Sequence, residues 1–192
     1  MLETNNKQFI FAGGQPGSGK TNLVETIKRD NPNVDFIVID LDKYRIMHPD
    51  FKNIIKQEKS ETAKLTNKFA FAVENEFIRY GLENNLNIIN VSTLRNTDLI
   101  EETLKNKIIP KGYEIKAYIL EVEPEKSYLS AKKRYEEQLK KSNEIPRLVT
   151  KEFHDNAYSG MKETIKMLEK LGVKIKICKR AKSKELPPTI IK

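Results

Sequence analysis

Gly14, Gly19, Lys20 and Thr21 stand at P-loop spacing in GGQPGSGKT, directly after the apolar run FIFA. Residues Gly14, Gln15, Pro16, Gly17, Ser18, Gly19, Lys20 and Thr21 are therefore expected to wrap a polyphosphate. Glycines allow the tight turn and leave room for an anion. Successive backbone N–H groups converge on phosphate oxygens, and the helix that follows adds its positive end. Lys20 is expected to reach the outer phosphates and Thr21 to ligate the magnesium ion that bridges them. The expected ligand is a nucleoside triphosphate, its base left open by these residues.

A second signal is FIVIDLD, an apolar run ending in Asp40 and Asp42. Asp42, one step into the loop, is the candidate base for an acceptor hydroxyl, which is a poor nucleophile until its proton is taken. Asp40 is the candidate for the metal shell or for loop support. Capping of the turn is the structural alternative for both. Arg134 and Arg147 lie in the charged stretch after Pro124, where a lid is expected over about residues 124–150, interrupted at Asn143 and Pro146. A guanidinium fork suits the spreading charge on a transferred phosphoryl group. The set reads as a phosphotransferase, which must position the donor, neutralise charge and exclude water. No Asn-Lys-x-Asp sequence is present to read guanine, which argues against a signalling GTPase.

To position these groups the chain needs a sheet. QFIFAGG, VDFIVID, NLNIINVST, YEIKAYILEV and VKIKICKR read as strands. TNLVETIKRDN and residues 60–83, 97–109 and 152–171 read as helices, the last closed by Gly172. Leu65, Phe69, Ala72, Val73, Phe77 and Tyr80 carry the helical spacing of the 60–83 stretch. The alternation predicts an α/β, P-loop NTPase fold: a mostly parallel sheet with helices on both faces and a helical, arginine-bearing lid. Ligands then sit beyond the carboxyl ends of the strands. Residues 1–180 are expected to form this domain and 181–192 a basic, loosely docked tail.

The 192 residues carry a formal charge of +8, which suits polyanionic nucleotides or an acidic partner. Nucleic acid is not favoured, because the lysines are scattered and no RNA-binding signature appears. No apolar run approaches the roughly 20 residues of a membrane helix. MLETNNKQ lacks the pattern of a secretory signal, and one cysteine, Cys178, fits a reducing compartment, so a cytoplasmic location is expected. Cys178 is expected to be a quiet strand residue and His154 to be structural.

Six stretches in order, GGQPGSGKT, VIDLDKYRIMHPDF, TAKLTNKFAFAVENEFI, NIINVSTLRNTD, SYLSAKKRYEEQ and IPRLVTKEFHD, resemble the zeta toxins, the PezT-like toxins of bacterial toxin–antitoxin systems. The resemblance covers about residues 9–180. It implies a small kinase that takes ATP as donor and phosphorylates the 3′-hydroxyl of the amino sugar of UDP-N-acetylglucosamine, and a small helical antitoxin that covers the nucleotide site. By this resemblance Lys20 and Thr21 hold the nucleotide and magnesium, Asp42 is the base, Arg134 and Arg147 clamp phosphate, Thr93 and Arg95 contact the substrate, and His48 fixes the loop after Asp42.

One position departs from that pattern. The family has Glu-Gly-Thr where this chain has Val91-Ser92-Thr93. Valine accepts no hydrogen bond from a sugar hydroxyl, which puts the acceptor in question. Asn90 compensates only if the strand register shifts by one residue. The alternatives are a kinase for a nucleoside, an antibiotic or an RNA end, and a non-enzymatic nucleotide- and RNA-binding module.

Overall fold

A computed structural model describes residues 7–141, 144–181 and 186–192. The five expected runs form strands β1 (Gln8–Gly13), β2 (Phe36–Asp40), β3 (Asn87–Ser92), β4 (Glu114–Glu121) and β5 (Lys174–Lys179). They lie in the order β2-β3-β1-β4-β5, all parallel. A short strand β6 (Thr189–Ile190) adds antiparallel to the outer edge of β5. Asp40 pairs with Val91 and Gly13 with Ser92, so β2, β3 and β1 release their loops at one end of the sheet. That end carries the P-loop, the acidic loop and Thr93.

Period-two alternation divides the core. Phe9, Phe11, Ile88, Ala117 and Ile119 point to one face, where α5 (Asn67–Glu83), α6 (Thr97–Thr103) and α8 (Lys151–Lys170) cover them. Ile10, Ala12, Ile89, Tyr118 and Leu120 point to the other, against α1 (Lys20–Asp30). The central strands are apolar on both faces, as a parallel sheet requires. Each fully buried Ile or Leu contributes about 1.5–3 kcal/mol of burial free energy. Cys178 is buried among the second group, and its thiol is pushed up to about 11 by that burial, which makes it inert.

Two helical expectations change. Residues 60–83 are not one helix: a 3₁₀ turn at Lys59–Glu61 leads into α4 (Thr62–Leu65), and α5 starts afresh after Thr66. Thr62 and Thr66 bond their hydroxyls to carbonyls three or four residues back, and such back-bonding competes with regular helix. The apolar stripe is also not all core, since Leu65, Phe77 and Tyr80 are exposed. The stretch 97–109 is α6 only to Thr103 and then winds as a π turn over Leu104–Ile108. Between β2 and α4 lie α2 (Leu41–Tyr44) and α3 (Phe51–Gln57).

The charged stretch after β4 forms α7 (Pro124–Lys140). The break expected at Asn143 lies outside the described residues, as do residues 182–185 of the expected tail. The end of the chain is tied back: Thr26 Oγ1 donates to the Pro188 carbonyl at 2.7 Å, and β6 pairs with β5. Among the described residues no helix is long and apolar enough to cross a membrane.

Candidate active site

The P-loop runs from the end of β1 into α1 with Gly17 and Gly19 at φ 79° and 103°, a region side chains rarely enter. Gly17 packs on α7 so closely that a Cβ would strike the Ser127 carbonyl and the Ala131 backbone nitrogen. The Gln15 side chain is buried against the start of α7. Its Nε2 donates to the Val122 carbonyl at 2.5 Å and to Ser127 Oγ at 3.2 Å. Ser127 Oγ in turn lies 2.8 Å from Nε2 of the fully buried His154. His154 is therefore structural, joining α8 to the start of α7 and to the phosphate loop. His48 also acts as expected: its Nδ1 accepts from the Asp50 N–H at 3.1 Å.

Lys20 Nζ donates to the carbonyls of Gly14 (2.6 Å) and Gln15 (3.2 Å) inside the loop. Burial lowers its pKa to about 8, against the pull of Asp42 and with help from Arg134. Arg134, on α7, is lowered to about 10 by burial and by the like charge of Arg147. Among the described residues its Nε is buried without a hydrogen-bond partner, as are Ser18 Oγ and the acceptor Gln15 Oε1. Two unpartnered buried donors beside a buried ammonium are what an anion-binding cradle provides.

Asp40 caps α2: its Oδ1 accepts from the Asp42 N–H at 3.1 Å, the structural alternative anticipated for this residue. Burial and then the neighbouring Asp42 raise its pKa, so a cation there would be welcome. Asp42 is held on both oxygens. Oδ1 accepts from Arg45 Nε at 3.0 Å, and Oδ2 pairs with a terminal nitrogen of Arg147. Burial alone would push Asp42 up, but Arg147 and Arg45 outweigh it and hold the carboxyl below its ordinary value.

Arg45 and Glu74 carry no sequence signal of their own. Arg45 is buried and also donates to the Ala63 carbonyl and Asn67 Oδ1, tying the acidic loop to the start of α5. Glu74, on α5, accepts from Asn90 Nδ2 at 3.1 Å. Burial raises its pKa to about 7, opposed by Asn90 and assisted by Asp40 and Asp42. It is a third carboxyl beside the acidic pair.

Thr93 is half-buried just past β3, and the buried Leu94 after it adopts φ 54°. Arg95 is exposed, its guanidinium 4.9 Å from the centre of the Phe153 ring on α8. Thr93 follows Val91 as Asp42 follows Asp40, and Asp40 and Val91 are partners in the sheet. No register shift occurs at Asn90, which pairs with Phe11 and Ile39, and Val91 packs toward the α1 side of the sheet.

A family model described as "Zeta toxin" matches residues 1–187. The chain belongs to the zeta toxin family. It is 30% identical to Toxin PezT of Streptococcus pneumoniae over 179 residues, 91% of this chain and 69% of that protein. Against Toxin zeta of Enterococcus hirae the identity is 30% over 164 residues, 85% of this chain but only 57% of that one. Among solved structures, one from the PezAT chromosomal toxin–antitoxin system of Streptococcus pneumoniae superposes with TM-score 0.76 at 24% identity, covering 94% of this chain and 71% of that one. The chain thus shares the fold of that toxin and spans little more than half the length of its Enterococcus relative.

Proposed function

We propose that the protein is an ATP-dependent kinase of a hydroxyl-bearing small molecule, the amino-sugar 3′-hydroxyl of UDP-N-acetylglucosamine first among candidates. The observation that carries the reading is the convergence at Lys20. Its ammonium feels Asp42, Arg134, Asp40 and Arg147, which come from three different parts of the chain. Such a cluster holds a donor phosphate on one side and an ionised carboxylate for the acceptor on the other.

Lys20, Arg134 and Arg147 bind and neutralise the outer phosphates in this reading, and the loop N–H groups orient them. Asp42 aligns the acceptor hydroxyl and receives its proton, and Glu74, Thr93 and Arg95 line the acceptor side. Magnesium fits the residues present, because it needs few protein ligands and keeps water and phosphate oxygens. Thr21 and Asp40 would hold it, and when bound it would neutralise charge on the phosphates.

Val91 supports a second reading, in which the acceptor is a different hydroxyl compound such as a nucleoside, an antibiotic or an RNA end. An apolar side chain there cannot select a sugar hydroxyl by hydrogen bonding. Mass spectrometry of acceptors incubated with the protein and magnesium ATP separates the two. A phosphate added to UDP-N-acetylglucosamine supports the first, and one added only to another acceptor supports the second. No transfer by wild type to any acceptor, with ATP still bound, rejects both. The family further suggests a toxin restrained in the cytoplasm by a small helical antitoxin; growth arrest on solo expression, relieved by such a companion, tests this.

A further inference from the structure

We propose that the outer face of α5 is a self-association surface, on which a second copy of this chain lays its own α5 antiparallel across a twofold axis. The surface does not depend on the kinase reading, since none of Lys20, Asp42, Arg134 or Arg147 lines it. Phe69, Ala72, Val73, Phe77 and Tyr80 recur at three- and four-residue spacing along α5 and line an open groove of about 480 Å³. Tyr80 is 56% exposed, and Ala72 and Phe77 are exposed beside it. The rings are already held: Phe77 stacks on Tyr44 with centroids 4.9 Å apart, and Phe69 meets His48 edge-on at 5.1 Å. Ile46 and Met47, in the turn between Tyr44 and His48, are exposed too and widen the apolar area. A patch of this kind on a globular domain marks a surface that another chain covers.

The charges of α5 select the occupant. Its first turn holds no acid and its last turn no base, although its own dipole favours both. Instead Lys68 stands in the first turn and Glu83 ends the last. A helix from a second copy running the opposite way brings its C-terminus and Glu83 to this N-terminus and Lys68, and does so twice. A twofold pairing needs such self-complementarity, whereas parallel helices would set Lys68 on Lys68. An axis between Asn75 and Glu76 puts Lys68 opposite Glu83 of the partner subunit. It also carries Tyr80 and Phe77 onto Ala72 and Val73 of the partner subunit, large side chains onto small. Glu76, beside that axis, is neutralised by Arg79 at 2.7 Å, which lets two copies approach there.

Sedimentation velocity on the full chain should show a dimer that dissociates on dilution from about 100 μM, as a modest interface does. Ala72→Glu, at an exposed helix position that tolerates glutamate, should give a monomer with an unchanged circular dichroism spectrum. Lys68→Glu or Glu83→Lys alone should weaken the dimer about tenfold, because each turns two attractions into two repulsions. The double reversal Lys68→Glu with Glu83→Lys should recover most of that loss. Cys178 is buried, so a single introduced cysteine reports alone. Glu76→Cys should cross-link to its own copy under mild oxidation, and Glu83→Cys, about 22 Å from its copy along the paired helices, should not. Wild type that stays monomeric up to the highest concentration overturns the proposal. So does a dimer that persists in Ala72→Glu, or one that cross-links through Glu83→Cys and not through Glu76→Cys.

Discussion

Arg147 forms an ion pair with Asp42, so one side chain expected on phosphate and another expected on the acceptor hold each other. The pair joins the loop before α8 to the start of α2. With Arg45 on its other oxygen, Asp42 is a weak base that stays ionised. Phosphoryl transfer tolerates this, since its loose transition state asks for alignment more than early proton removal. Asp42→Asn should therefore keep ATP binding and lower single-turnover transfer by about 10²-fold or more. Because its pKa is depressed, Asp42 should contribute no acid limb to the rate above the ordinary carboxylate range. Transfer by Asp42→Asn at the wild-type rate would remove it from the reaction.

Lys20 gives ATP binding a pH dependence of known sign. Its ammonium is lowered to about 8 mainly by burial, and phosphate should restore the charged form. Above pH 8 the free protein must take up a proton to bind, so affinity should fall by up to about tenfold per pH unit. Below pH 8 it should be flat on this account. Lys20→Arg, charged throughout, should lose the slope whatever its absolute affinity. Isothermal titration in buffers of different ionisation enthalpy reads the proton uptake directly.

Legibility in the sequence followed distance along the chain. The P-loop is contiguous, and its glycine spacing is itself the geometry, so residues 14–21 could be read without a fold. Asp42 was legible because a strand of apolar residues ends just before it. Arg134 and Arg147 were legible as guanidinium groups in a lid-like stretch, but the partnership of Arg147 with Asp42, 105 residues away, was not. Glu74 looked like one more polar residue on an amphipathic helix. Only the packing of α5 over β3, which sets Asn90 against it, makes it a buried acid. The break at Thr66 was hidden because helical periodicity counts apolar positions and does not register hydroxyls bonding back to the chain.

Glu74 should cost stability at neutral and higher pH. Its folded pKa, about 7, lies above the ordinary glutamate value of 4.5, so the folded protein holds a proton that the unfolded chain releases. Stability falls as pH rises through that window, and the penalty is complete above it. Glu74→Gln should therefore stabilise the protein at pH 8 by roughly 2 kcal/mol and hardly at all at pH 4. Thermal melting at the two pH values checks this, with a rise of about 4–8 °C expected at the higher one. If Glu74 also faces the acceptor, the same variant should raise acceptor KM while ATP affinity holds. Stability gained with function lost is the pattern of a strained site residue.

Gly160 on α8 should control the acceptor loop from behind. A Cβ built there would strike the Arg95 backbone carbonyl, which lies in the turn carrying Thr93 and the left-handed Leu94. In an open helix position Gly→Ala gains about 1 kcal/mol of propensity. Here the obstacle is backbone, which cannot rotate away, so overpacking of about 1–3 kcal/mol opposes that gain. Thr97 Oγ1, 2.9 Å from Thr164 Oγ1 on α8, pins the far side of the same turn and limits relaxation. Gly160→Ala should lower the melting temperature and raise acceptor KM, with ATP affinity preserved because the P-loop lies elsewhere. Lys162→Ala, on an exposed part of the same helix, should leave both acceptor KM and ATP affinity as they are. A Gly160→Ala protein that melts higher and keeps its acceptor KM would show that α8 does not position the turn.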